Sequence, residues 1–174
     1  PSFNPNERMR KRSPFVKNRV ITDAFEPGST MKPISIAAAL EKRVVNVNTK
    51  IDTGNGFYKV GGTHITDTKP HGIISVKEIL QTSSNIGVTK IAEKLSKKYL
   101  WQTYSNFGIG NLTGANLPGE SKGVMRDHSS WKKRDHFSAS YGYSVSTTVA
   151  QLARAYTPFA NKGEIKNLRL FKND

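Results

Sequence analysis

Pro33 stands in front of the most apolar stretch of the chain, Ile34-Ser35-Ile36-Ala37-Ala38-Ala39-Leu40. Together they dictate one buried helix. Proline is tolerated in the first helical turn, where its missing N–H has no intrahelical partner to lose. The spacing predicts a helix from about Thr30 to Arg43, with Ser29 and Thr30 at its N-terminus. A helix apolar on most sides belongs at the centre of a domain. The turn Phe25-Glu26-Pro27-Gly28-Ser29-Thr30 leads into it. At 174 residues the chain fits a single domain, whose size allows about 70% of the unfolded surface to be buried.

The other elements follow from local signals. Phe57 to Val60 and Thr63 to Thr66 flank Gly61-Gly62 and read as a hairpin. Ser75-Val76-Lys77-Glu78 is a capping box opening a short helix to about Gln81. The polar run Thr82-Ser83-Ser84-Asn85 interrupts it. Val88, Ile91, Ala92 and Leu95 then repeat at helical spacing. Ser96 caps a third helix through Leu100, Tyr104 and Phe107, which Gly108 stops. Residues 108–140 read as loops with a short strand. Thr148-Val149-Ala150-Gln151 is a second capping box, opening a helix that closes near Gly163. Residues 1–20 read as an extended arm, and Glu164 to Asp174 as the start of a strand.

The net charge is +14, with 27 Lys and Arg against 13 Asp and Glu. Such a balance first points to nucleic acid. The excess, however, lies in residues 1–20 and 91–134, and the middle of the chain is close to neutral. No basic helix with interleaved aromatics and no zinc-finger or RNP-type pattern occurs. A basic module binding nucleic acid or anionic membrane is the reading that charge alone permits. Cysteine is absent, which excludes disulfides and thiolate metal sites. His64, His71, His128 and His136 show no metal-binding spacing, so no metal or cofactor is expected. Ser29, His71 and Asp67 could form a triad on paper, and Asp52 with Asp67 a carboxylate pair, without supporting context. The longest apolar run is too short to span a bilayer.

Ser29-Thr30-Met31-Lys32 puts a hydroxyl and an amine three residues apart, on one face of a helical turn. A serine is a weak nucleophile until a base takes its proton. A lysine serves as that base when burial keeps it neutral, and the apolar helix behind Lys32 favours this. The spacing is common by chance and gains weight only from its setting.

Ser29 and Lys32 lie in Phe25-Glu26-Pro27-Gly28-Ser29-Thr30-Met31-Lys32-Pro33. A second element, Ser83-Ser84-Asn85, follows at the break between two helices. The pair resembles the transpeptidase domain of penicillin-binding proteins. Ile79 to Val88 is similar to the second motif of the class B, monofunctional members. Phe107-Gly108-Ile109-Gly110, Leu117-Pro118-Gly119-Glu120, Tyr141-Gly142-Tyr143 and Gln151-Leu152-Ala153-Arg154 resemble later segments of the division-type (septal) enzymes. The likeness is collinear over nearly the whole chain.

The resemblance implies four catalytic residues. Ser29 would be the acylated nucleophile, Lys32 its general base and Ser83 a proton shuttle to the leaving group. Asn85 would bond the substrate amide and orient Lys32. The Ser29 N–H would be an oxyanion donor, Ser84 would have no role, and Thr30 and Met31 would pack. It further implies D,D-transpeptidation of peptidoglycan stem peptides ending in D-Ala–D-Ala, inhibition by β-lactams, division-machinery partners and no nucleic acid. The place implied is the outer face of the inner membrane.

The family's third motif, Lys-Thr-Gly or a close variant on a later strand, does not occur before Asp174. The expected fold is therefore mainly α as a fragment. Its parent would be an α/β domain, an antiparallel sheet flanked by helices, with most strands missing here. Residues 1–174 would be chiefly the helical part and inactive on their own. Related readings are a β-lactamase or β-lactam sensor, although no glutamate stands where a deacylating water would need one, and a catalytically dead scaffold.

Overall fold

The computed structural model describes residues 17–169, and its other elements are arranged around the helix that Pro33 starts. That helix, α2, spans Lys32–Glu41 with Pro33 as its second residue, and a 3-10 turn, Gly28–Met31, runs directly into it. The start thus lies two residues later than expected, because the residues before Lys32 take the tighter turn. Residues 1–16 of the expected arm lie outside the described residues. At its end the arm is not extended: a single turn, α1 (Arg19–Thr22), forms there and Ile21 is buried.

The capping boxes work as the sequence reading requires. Ser75 accepts from the Glu78 N–H and opens α3 (Val76–Thr82), while the Glu78 carboxylate accepts from the Ser75 N–H. Thr148 and Gln151 do the same for α7 (Val149–Ala160). Between them lie α4 (Asn85–Ala92), capped by Ser84, and α5 (Lys97–Asn106), capped by Ser96. Pro158 sits inside α7, where it cannot donate to the Arg154 carbonyl four residues back. The Thr157 hydroxyl takes that carbonyl instead, at 2.8 Å.

The strands form two small antiparallel sheets. β2 (Phe57–Val60) and β3 (Thr63–Thr66) are the expected hairpin, in register Phe57 opposite Thr66. β1 (Lys50–Asp52) pairs with β4 (Ile73–Ser75), two three-residue strands too short to announce themselves by alternation. Residues 164–169 form no strand.

Residues 108–140 are not all loop. Helix α6 (Lys133–Ser140) occupies their last eight positions, after a 3-10 turn at His128–Ser130. The expectation failed because, apart from Phe137, the buried residues of α6, His136, Ser138, Ala139 and Ser140, are small or polar and leave no apolar stripe to read.

The core gathers on α2. Met31, Ile34, Ala38 and Ala39 meet Ile79 of α3, Val88 and Ile91 of α4, and Leu100 and Tyr104 of α5, all fully buried. Each large aliphatic side chain so buried contributes roughly 1.5–3 kcal/mol. A polar knot ties α2 and α5 to α6: the Ser35 hydroxyl lies 2.7 Å from the Tyr104 hydroxyl and donates to the Ser140 carbonyl at 2.8 Å. Tyr104 donates to the Ala139 carbonyl at 2.9 Å. Burial raises the Tyr104 phenol well above its usual range, so it stays a neutral donor.

His136 has acid consequences. It is buried between Trp131 and Phe137, and its Nε2 has no partner among the described residues. Burial, aided by the Lys97 charge, pushes its pKa down to about 4 from 6.5. Between those values the unfolded chain binds a proton that the folded chain refuses, so stability falls as pH falls. The slope reaches at most about 1.4 kcal/mol per pH unit. Urea midpoints measured from pH 7 to 4.5 should drop, and H136F should flatten that drop.

Candidate active site

The nucleophile candidate is held by the backbone around it. Gly28 begins the 3-10 turn with φ +59°, which glycine adopts without strain. The Thr30 hydroxyl closes the turn onto the Pro27 carbonyl at 2.8 Å. Ser29 is thereby left exposed, and its hydroxyl has no hydrogen-bond partner among the described residues. Lys32 follows one turn later, its N–H bonded to the Ser29 carbonyl.

The link between α6 and α7 clasps this turn. Gly28 N–H donates to the Gly142 carbonyl at 3.0 Å, and Phe25 and Thr147 exchange two bonds of 3.0 and 2.9 Å. Ser144 N–H donates to the Glu26 carboxylate at 3.0 Å. From α7, the Tyr156 hydroxyl donates to the Thr30 carbonyl at 2.8 Å. Gln151 at the start of α7 donates to the carbonyls of Asn111 and Lys122, fixing the long 108–127 loop.

Opposite stands the joint between α3 and α4. Ser83 ends α3 in the left-handed conformation, φ 56° and ψ 38°, which costs a non-glycine residue roughly 1–2 kcal/mol. Ser84 then caps α4 and is buried. This one-residue joint turns both the Ser83 carbonyl and its hydroxyl towards α2. The Lys32 amine donates to both, at 2.9 Å for the hydroxyl.

Lys32 is 2% exposed, on the apolar helix. Burial pulls its pKa from 10.5 to about 8, while the charge of Asp67 pulls the other way. A neutral amine donating two hydrogen bonds to Ser83 keeps one lone pair free to accept a proton. An amine and a hydroxyl 2.9 Å apart can also pass a proton between them.

Of the four sequence-predicted residues, the structure brings Lys32 and Ser83 into contact and sets Ser29 one turn from Lys32. Asn85 opens α4 beside them, with its amide donating to the Thr66 carbonyl at 3.0 Å rather than meeting Lys32. Sequence reasoning weighed Asp67 only for a triad or a carboxylate pair and missed what it holds. Its carboxylate accepts from the Ser84 hydroxyl at 2.6 Å and from the N–H groups of Asn85 and Ile86 at 2.6 and 3.1 Å. It does not pair with His71 or Ser29, so the paper triad is not assembled. Ser84, given no role, is both the α4 cap and the Asp67 partner. No group of three or more His, Asp or Glu among the described residues could hold a metal.

The site is thus a buried lysine joined to a serine at the end of a second helix, one turn after an exposed serine. The family described as penicillin binding protein transpeptidase domain matches residues 1–174. The chain belongs to that family. The transpeptidase-domain chain is 36% identical over 174 residues to the peptidoglycan D,D-transpeptidase FtsI of Escherichia coli K12, covering all of this chain and 29% of that one. It is 34% identical over 174 residues to the probable peptidoglycan D,D-transpeptidase PbpC of Pseudomonas aeruginosa, covering 31% of it. It therefore spans less than a third of these relatives' length. Among solved structures, the transpeptidase domain of Burkholderia pseudomallei penicillin-binding protein 3 superposes with a TM-score of 0.89 at 40% identity. That match covers 92% of this chain and 48% of the other. A Burkholderia ambifaria protein described as a peptidoglycan glycosyltransferase gives 0.90 at 41% identity, over 92% and 51%. The mainly helical chain with two short sheets thus has the fold of part of an α/β transpeptidase domain.

Proposed function

We propose that residues 1–174 are the chiefly helical part of a peptidoglycan D,D-transpeptidase, carrying its nucleophile and its first two motifs. What supports this most is the buried Lys32 amine, bonded to Ser83 and held at a pKa of about 8, in a chain of the transpeptidase family. Ser29 Oγ bonds to the carbonyl carbon of a terminal D-Ala–D-Ala amide while its proton passes to Lys32. The C–N bond breaks, and the departing D-alanine amine takes a proton through Ser83. An amine of a neighbouring stem peptide then attacks the ester, forming the cross-link and freeing Ser29. Asn85 hydrogen-bonds the substrate amide.

A β-lactam follows the first half of this path and stops as an ester on Ser29. The parent protein would act at the outer face of the inner membrane, with division proteins as partners. Among the described residues no helix is long and apolar enough to cross a membrane. The test is to treat the full-length protein with a labelled penicillin and map the adduct by peptide mass spectrometry. A single adduct on the peptide containing Ser29 is expected, and an adduct elsewhere overturns the assignment. The 174-residue chain alone, without the third motif, should label far more slowly.

A further inference from the structure

Asp67 lies outside both motifs, just past the end of β3, and yet more hydrogen bonds from the Ser84–Ile86 segment converge on it than on any other side chain. Both its oxygens are used: Oδ2 accepts from the Ser84 hydroxyl, and Oδ1 from the N–H groups of Asn85 and Ile86. These are charge-assisted bonds at the first turn of α4, where free N–H groups and the helix dipole favour an anion. The neighbouring Thr66 carbonyl holds the Asn85 amide. One two-residue step of the chain, Thr66-Asp67, therefore fixes Ser84 and Asn85 on either side of their backbone. We propose that Asp67 is the positioning residue that holds Ser83 and Asn85 in place beside the Lys32 amine. This rests on the function proposed above.

Ser83 needs such a hold. It sits in a left-handed conformation that a serine does not choose on its own, and the next residue is pinned through its hydroxyl. Releasing Ser84 lets the joint relax and moves the two Ser83 oxygens away from Lys32.

Asp67 also acts through its charge. The elements packed on α2 are the 3-10 turn, which has no charged residue, α3, α4 and α5, and α6, which meets it through Ser140 and on which Lys133 lies over the Phe137 ring, Arg134 is exposed, Asp135 pairs with Arg126 and His136 stacks on Phe137. Their charged groups are engaged elsewhere or point to solvent. On α3, Lys77 is exposed and Glu78 pairs with Lys50. On α4, Lys90 reaches the Asp52 carbonyl. On α5, Lys97 bonds the Trp131 carbonyl, Lys98 is exposed, Tyr99 bonds Glu41, and Tyr104 stays neutral against Ser35. Asp67 is the charge that bears on Lys32, and it favours the protonated amine. Burial alone would lower the lysine further.

The experiment measures second-order acylation by a fluorescent penicillin against pH in the full-length protein. Acylation of the wild type should rise through a limb near pH 8. D67N keeps the size of the side chain but removes its charge and one acceptor. Its plateau rate should fall about 100-fold, as expected for a reacting group displaced by about an ångström, and its limb should move to lower pH. D67E keeps the charge on a longer arm, so its rate should fall while the limb stays nearer the wild-type position. In D67N a merely structural role would lower the active fraction at every pH and leave the limb in place. That outcome, or a wild-type rate in either variant, overturns the proposal. If D67N fails to fold, D67S, which also removes the charge, decides by the same shift of its limb to lower pH. Adduct mapping keeps the two readings apart: an adduct away from Ser29 removes the proposed nucleophile. An adduct on Ser29 with D67N unchanged removes only the role of Asp67.

Discussion

Replacing Lys32 by methionine should lower acylation of the full-length protein by a labelled penicillin about 100- to 10,000-fold, the range in which a positioned general base acts. The protein should remain folded. Methionine fills a similar linear space and does not ask the apolar helix to hold an amine. Ser83, which loses its donor, is exposed and can turn to water. K32R should fail as well, since a guanidinium stays protonated at every working pH and cannot accept the serine proton. The wild-type rate should rise with pH up to about 8, where Lys32 loses its proton, and level off above it. Stability carries a matching sign. Between about 8 and 10.5 the unfolded lysine binds a proton that the folded one has shed, so wild-type stability rises with pH across that window. K32M should abolish this rise. A variant that keeps wild-type acylation would show that the buried amine is not the base.

The residues behind this prediction were legible in the sequence to different degrees. Pro33 with its apolar run located α2, and capping boxes located α3 and α7, because each signal is local and has a short-range physical cause. The pairing of Lys32 with Ser83 across 51 residues came from resemblance to a family; no spacing rule reaches that far. Asp67 was visible only as a member of a paper triad or a carboxylate pair, neither with supporting context. Its meaning is set by the α4 N-terminus, whose N–H groups reach it only after the β2–β3 hairpin has folded the chain back. Helix α6 was hidden for another reason. It buries Ser138, Ala139 and Ser140 against other helices, and close packing of small residues leaves no hydrophobic period.

The clasp on the Ser29 turn gives the second large effect. Gly142 approaches Gly28 so closely that a Cβ on it would lie 1.9 Å from the Gly28 carbonyl oxygen and 2.6 Å from its nitrogen. Both are backbone atoms, so no side-chain rotation relieves the overlap. Gly142 also has φ +87°, where an L side chain is strained. G142A should therefore destabilise the protein by on the order of 3 kcal/mol, strain and overpacking together. The two chains must part by more than an ångström, which breaks the bond from Gly28 N–H to the Gly142 carbonyl and shifts the turn that carries Ser29. Acylation of the folded fraction should fall about 100-fold. G62A is the control. Its φ of +76° is similar, but a Cβ there meets nothing within 4 Å. It should cost about 1 kcal/mol and leave acylation unchanged. Thermal melts and acylation rates on the two variants separate strain from clash. Equal losses in both would mean that left-handed geometry alone sets the requirement for glycine. A loss of activity confined to G142A ties it to the contact that holds Ser29 in place.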